Sequence, residues 1–229
     1  MRFRFVPPQA ILCGMTEPQF TYPIMLDLTG RRALVVGGGK VALRKAQALA
    51  AAGAKVRVVA PDLLLEFARD GRLECIREPY GARHMAGVFL AVAATDDEAV
   101  NARVAADARA AGALVNVVDR PALCDFIVPS VVERGRLRIA ICTSGAAPSL
   151  ARRLRERLEE EFGPEYAAIL DALGEVRERY KSSDLPEAVR RRLFERLTED
   201  DIIAAARGGP EVLRRAIDEA IRQVIGQGK

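Results

Sequence analysis

The sequence predicts an α/β protein: a Rossmann-like doubly wound parallel sheet, followed by a small two-stranded region and an all-helical C-terminal domain. Three observations predict it. Short apolar runs alternate with helical periodicity from Arg32 to Val118. One of these runs, Val88–Ala94, is apolar without a break, as strands buried on both faces of a parallel sheet are. The first run ends in the triplet Gly37, Gly38 and Gly39, directly before a helical pattern.

In chain order, residues 22–28 form a short extended lead-in and Asp27–Gly30 a turn into the first strand, Arg32–Val36. The next helix, about Lys40–Ala52, has an apolar face of Val41, Leu43, Ala46, Leu49 and Ala50, and Gly53 stops it. Strand Lys55–Ala60 follows and ends at Pro61. Across this βαβ unit Gly37, Gly39 and Ala42 spell G-x-G-x-x-A. Gly37 permits the turn, Gly39 lets a pyrophosphate approach the backbone, and Ala42 keeps helix and strand close. A phosphate would rest on the free N–H groups around Gly38, Gly39, Lys40 and Val41. The plainer reading of such a triplet is a simple strand-to-helix joint.

The end of the second strand departs from the usual fingerprint. It offers Ala60, Pro61 and Asp62 where an acidic residue normally holds the ribose hydroxyls. Asp62 falls late for that role and is expected to cap a helix over Leu63–Arg69. Strands are then expected at Leu73–Glu78, Val88–Ala94 and Leu114–Val118, with a helix over Glu98–Ala111 capped by Asp96 or Asp97. Thr95, Asp96, Asn116 and Asp119 join the glycines near the carboxyl ends of the strands, where such sheets bind ligands. Asp119 is placed as a general base, with a turn residue before Pro121 as its alternative.

Beyond Pro121 the pattern changes. Phe126–Glu133 and Leu137–Cys142 read as two strands around Arg134-Gly135-Arg136, and would leave exposed edges in a monomer. The small-residue loop Thr143, Ser144, Gly145 leads to Pro148, suited to a first helical position. The helix after it carries Arg152, Arg153, Arg155 and Arg157, which would clamp carboxylates or pair with Glu159, Glu160 and Glu161 on a solvated face. Helices are expected at Tyr166–Lys181, Pro186–Thr198 and Pro210–Ile225. The organisation is an N-terminal extension (1–21), a dinucleotide-binding domain (22–125), dimerisation strands with the substrate loop (126–150) and a helical domain (151–229).

Composition narrows the function classes. With 35 basic and 31 acidic residues the net charge is +4, mixed along the chain and unlike a nucleic-acid-binding tail. Cys13, Cys75, Cys124 and Cys142 have neither zinc-finger nor disulfide-framework spacing and read as reduced thiols of a cytoplasmic protein. His84, the single histidine, excludes a multi-histidine metal site and reads as an ordinary turn residue. No run approaches the ~20 apolar residues of a membrane span. Residues 1–14 carry no signal-peptide core or cleavage site, and Met15 offers an alternative start.

The stretches Tyr22–Leu28, Val35–Lys45, Ala93–Asn101, Val115–Asp119 and Phe126–Ser130 together resemble the precorrin-2 dehydrogenase family, including the dehydrogenase/ferrochelatases and the N-terminal part of siroheme synthases. The likeness runs from about Tyr22 to Glu161. It implies an NAD-binding domain, a small dimerisation region and a helical domain. It also implies transfer of a hydride from precorrin-2, a polycarboxylate tetrapyrrole, to NAD, giving sirohydrochlorin. Insertion of ferrous iron or cobalt is a further implied step in some relatives. The family's important aspartate falls on Asp119, and its substrate loop on Thr143, Ser144 and Gly145. Ser144 stands where relatives carry glycine, and Ala147 where they carry a capping serine; Ser149 or Ser144 would have to replace that cap. The non-enzyme alternative is a nucleotide-sensing module built on the same fingerprint.

Overall fold

The structure is a computed structural model that describes residues 22–226; the readings made of the extension, its start and its lack of a leader lie outside those residues. The chain divides between Val128 and Pro129 into two compact units.

The first unit is built on five parallel strands: β1 (Arg32–Val36), β2 (Lys55–Val59), β3 (Leu73–Ile76), β4 (Leu90–Ala93) and β5 (Leu114–Val117), in the order β3-β2-β1-β4-β5. Helix α1 (Lys40–Ala51) joins β1 to β2, a short α2 (Leu65–Arg69) joins β2 to β3, and α3 (Glu98–Ala110) joins β4 to β5. Strand alternation sends Ala33, Val35, Val56 and Val58 to one face, under Ala42 and Ala46 of α1 and Phe67 of α2. Leu34, Val36, Ala91 and Val115 go to the other, under Val104, Ala105 and Ala108 of α3. These residues are essentially inaccessible to solvent, which is why the apolar runs read so clearly as sheet.

Register fixes where the site can be. Val36 pairs with Val59 and Ala93, and Ala93 with Val117. The residues that follow are therefore drawn level along one edge. The Gly37 N–H donates to Val59 O, Ala94 N–H to Val36 O and Val118 N–H to Ala93 O. Strand order reverses between β1 and β4, so the crevice opens beside Gly37 and Ala94. The outer edge of β5 is closed by side chains: the Asp125 carboxylate accepts the Val115 N–H at 3.0 Å and the Cys124 thiol meets both Val117 N and Val117 O.

The second unit pairs β6 (Ser130–Arg134) with β7 (Leu137–Ile141) in an antiparallel hairpin turning at Gly135. Five helices follow: α4 (Pro148–Glu161), α5 (Glu165–Lys181), α6 (Glu187–Arg196), α7 (Asp200–Arg207) and α8 (Pro210–Gly226). Leu213, Ile217, Ala220 and Val224 form the buried stripe of α8 and pack with Ile169, Val176, Leu193 and Ile202.

Several expectations are corrected. Asp62 caps nothing: α2 begins at Leu65, its N-cap position is Leu64, and it has no side-chain cap. Phe126 is not in a strand; it packs against the α1 face of the sheet, and β6 starts only at Ser130. His84 is a turn residue, as expected, in the 3₁₀ turn Ala82–Met85, and it is buried there. Helix α7 was not foreseen. Asp97, not Asp96, caps α3, accepting from the N–H groups of Ala99 and Val100.

Candidate functional site

The glycine turn has two parts with different reasons to lack a side chain. Gly37 has φ 134°, and a Cβ there would lie 2.3 Å from Ala94 O. A Cβ at Gly38 would lie 1.7 Å from Asp62 O, in a turn where Leu64 N–H donates to Gly38 O. Both are required by the protein's own backbone. Gly39, by contrast, is the extended N-cap of α1, and a Cβ built there meets nothing within 4 Å. Its open side faces out from a helix start with neither a side-chain cap nor an acidic residue in its first turn. Unsatisfied N–H groups, a positive helix end and an unobstructed approach fit a dinucleotide pyrophosphate. Lys40 and Val41 are exposed on this first turn, and buried Ala42 fills the space against Gly37.

Across the crevice, Thr95 follows β4. Its hydroxyl donates toward Asn101 Oδ1 (2.9 Å) or Asp97 O (3.1 Å) and accepts the Asp97 N–H. Asp96 is exposed beside it. Ala60 is buried at the end of β2 and Pro61 is exposed.

Asp119 ends the β5 side of the edge. It is exposed and has φ 58°, a left-handed conformation that aspartate tolerates better than most residues. Asn116 is buried, and its amide donates to Phe126 O at 3.0 Å and lies 3.6 Å from the Cys124 sulfur. It braces the segment after Asp119 instead of projecting freely. One neighbour escaped the sequence reading. Lys45 of α1 is half-buried, and its ammonium is held below the usual lysine range, first by burial and then by the charge of Arg44; Cys124 and Asp119 pull the other way. The Cys124 thiol is itself pushed up by burial.

Gly37–Val41, Ala60, Pro61, Thr95, Asp96, Asn116 and Asp119 thus share one sheet edge in the first unit. Thr143, Ser144, Gly145 and Arg152 belong to the second unit, where they form one loop and the start of α4. Ser144 (φ 49°) and Gly145 (φ 82°) are both left-handed, and Ala146 N–H donates to Thr143 O. The N-cap position of α4 is Ala147, with no side-chain cap of its own, while the Thr143 hydroxyl accepts the Ala147 N–H at 3.3 Å. Of the four arginines early in α4 only Arg155 is paired, with Glu159 and Glu156; among the described residues Arg152, Arg153 and Arg157 make no ion pair. Fewer of these charges are spent on helix pairing than a solvated face would predict.

An NAD(P)-binding family model matches residues 24–130, and the model of the sirohaem biosynthesis protein central region matches residues 134–161. The siroheme synthase of Chromobacterium violaceum is 42% identical over 198 residues, covering 85% of this chain and 42% of that protein. The siroheme synthase of Azotobacter vinelandii is 44% identical over 175 residues, covering 75% and 38%. The chain therefore spans about two fifths of the length of these relatives. Among solved structures, SirC, a precorrin-2 dehydrogenase, superposes with a TM-score of 0.70 at 29% identity, covering 87% of this chain and 98% of that one. An NAD(P)-binding segment and a sirohaem central segment are thus matched in that order along one chain, and its fold is similar to that of a precorrin-2 dehydrogenase.

Proposed function

We propose that this chain oxidises precorrin-2 to sirohydrochlorin with NAD. The observation that carries the reading is the joint presence, on one sheet edge, of the unobstructed Gly39 turn and the exposed Asp119 carboxylate, in a chain covering 98% of a precorrin-2 dehydrogenase. Bound NAD supplies the hydride acceptor. Gly37–Gly39 and the first turn of α1 hold its pyrophosphate, and Ala60 and Pro61 border its adenosine ribose. Asp119 takes a proton from the macrocycle as the hydride leaves. In the second unit, taken by itself, Arg152 and the Thr143–Gly145 loop are candidate carboxylate-binding groups.

NAD is preferred over NADP in this reading, because no arginine directly follows Ala60 to receive a 2′-phosphate. The nearby Arg57 is paired with Glu74 at 3.1 Å. Metal insertion is a second step implied by the family resemblance, with ferrous iron or cobalt as substrate and Asp119 accepting the pyrrole protons. The β6–β7 hairpin supports a homodimer, which light scattering at micromolar concentration would test; only a 24.9 kDa species would overturn it. The free thiols Cys75, Cys124 and Cys142 fit a cytoplasmic setting, and among the described residues no helix is long and apolar enough to cross a membrane.

Anaerobic incubation with precorrin-2 and each dinucleotide, followed by absorbance, tests the central claim. NADH and sirohydrochlorin should appear together. Dinucleotide binding with precorrin-2 left unchanged would support the sensing module instead.

A further inference from the structure

Asp119 sits in a four-residue turn, Val117–Arg120, closed by the bond from the Arg120 N–H to Val117 O at 3.2 Å. Its φ of 58° at the third place of that turn is a conformation that turns ordinarily give to glycine or asparagine. An aspartate kept there needs its surroundings to hold the backbone, since the commoner right-handed and extended basins are open to it.

One buried side chain supplies that hold. The Cys124 sulfur lies 3.2 Å from Val117 O and 3.3 Å from Arg120 O, the carbonyls at the two ends of the turn, and it accepts the Val117 N–H at 3.1 Å. The amide of buried Asn116 approaches the same sulfur at 3.6 Å. Cys124 is only 6% exposed and burial pushes its thiol up, so the S–H keeps its proton and can donate to either carbonyl. A single thiol thus spans both ends of the turn that carries Asp119.

The segment around Cys124 is anchored independently of the thiol. Asp125 exchanges two bonds with the backbone of Val115, Arg109 donates to Leu123 O at 3.0 Å, and Asn116 Nδ2 donates to Phe126 O at 3.0 Å. None of these ties reaches Val117–Arg120. Losing the thiol should therefore leave the segment docked and loosen the turn alone.

We propose that Cys124 is a positioning residue for the dehydrogenation, fixing the Val117–Arg120 turn so that the Asp119 carboxylate stands at the ligand edge to take the substrate proton. The inference rests on the reading of Asp119 as the proton acceptor and adds the residue that holds it in place. Buried as it is, the thiol meets neither substrate nor cofactor and acts through Asp119.

The test is a double-mutant cycle on Cys124→Ala and Asp119→Asn, read as kcat for precorrin-2 oxidation beside KM and NAD affinity. Cys124→Ala alone should lower kcat by about 10- to 100-fold, the scale of a catalytic group misplaced by about 1 Å, with KM and NAD affinity unchanged. In the Asp119→Asn background the same change should cost nothing further, because the group it positions is already gone. Cys124→Ser, which keeps a donor on a shorter bond, should lose less kcat than Cys124→Ala; it replaces the alanine variant in the cycle if that variant fails to fold. Wild-type kcat in Cys124→Ala, or the same fold-loss in both backgrounds, would overturn the inference. A fall in NAD affinity as large as the fall in kcat would overturn it too, since the whole edge would then have moved. Near wild-type turnover by Asp119→Asn alone would instead overturn the reading of Asp119 and, with it, this inference.

Discussion

The carboxamide of Asn101 closes on Thr95 from both ends: Oδ1 accepts from the Thr95 hydroxyl at 2.9 Å and from its N–H at 3.3 Å, while Nδ2 donates to Thr95 O at 2.8 Å. Asn101 is 7% exposed, so water cannot replace these bonds. Asn101→Ala should cost about 1–3 kcal/mol in stability and loosen the loop after β4. Thermal melts and NAD titration check it; a variant that melts and binds like wild type would remove Asn101 from the site.

The three glycines should separate by phenotype. Gly37→Ala and Gly38→Ala drive a methyl into Ala94 O and Asp62 O and should yield little folded protein. Gly39→Val should fold normally, because its side chain projects into open space, and should abolish NAD binding by occupying the path of the pyrophosphate. Circular dichroism with dinucleotide titration distinguishes the two classes, and tight NAD binding by Gly39→Val would refute the assigned cradle.

Asp119→Asn isolates charge from conformation. Asparagine accepts the left-handed backbone at φ 58° as readily as aspartate does, so the fold should be preserved. With NAD binding intact, sirohydrochlorin formation should fall by about 10²–10⁴-fold, and any metal insertion with it. Near wild-type turnover would reduce Asp119 to a turn residue.

Glu78 braces the turn before β4. It accepts from His84 Nε2 at 2.6 Å and from Arg83, while His84 Nδ1 accepts the Gly81 N–H; the acceptor role of Nδ1 leaves Nε2 as the protonated nitrogen of the neutral ring. These bonds, that of His84 first, hold the Glu78 carboxyl below its ordinary value of 4.5. A depressed carboxyl stabilises the fold fully above that ordinary value, and the contribution disappears as the pH falls through the lower folded value. Glu78→Gln should therefore melt lower than wild type at neutral pH, and the gap should shrink and then close as the pH falls below 4.5. A gap constant with pH would show that shape, not charge, is what Glu78 supplies.

Legibility in the sequence followed burial. Strands β1, β2, β4 and β5 were readable because most of their positions are apolar and buried, whereas β3, at the sheet edge, leaves Glu74 and Cys75 exposed. Helix α7 was missed because Asp200–Arg207 is two turns long and only its tertiary contacts, through Ile202 and Ala206, separate it from a loop. Asp62 misled because its residue type suits a cap, while the backbone there is already committed to Gly38. Lys45 had no sequence signal of its own; a lysine within a charged amphipathic helix looks fully solvated until the fold half-buries it. The Asn116 amide was assigned to substrate for its position at the edge, and the structure spends it on Phe126 O.

The division of labour within the glycine triplet bears on how this chain can diverge. Gly37 and Gly38 are held by steric conflict with the protein itself, so any folded descendant must keep them whatever it does. Gly39 meets no such conflict, and under the proposed function it is the ligand that keeps it. In a duplicated copy that stopped using dinucleotide, Gly39 would be the first of the three to drift, while its two neighbours stayed fixed. The identity of that single residue is thus a marker of cofactor use that survives in the gene after the assay for it has been lost.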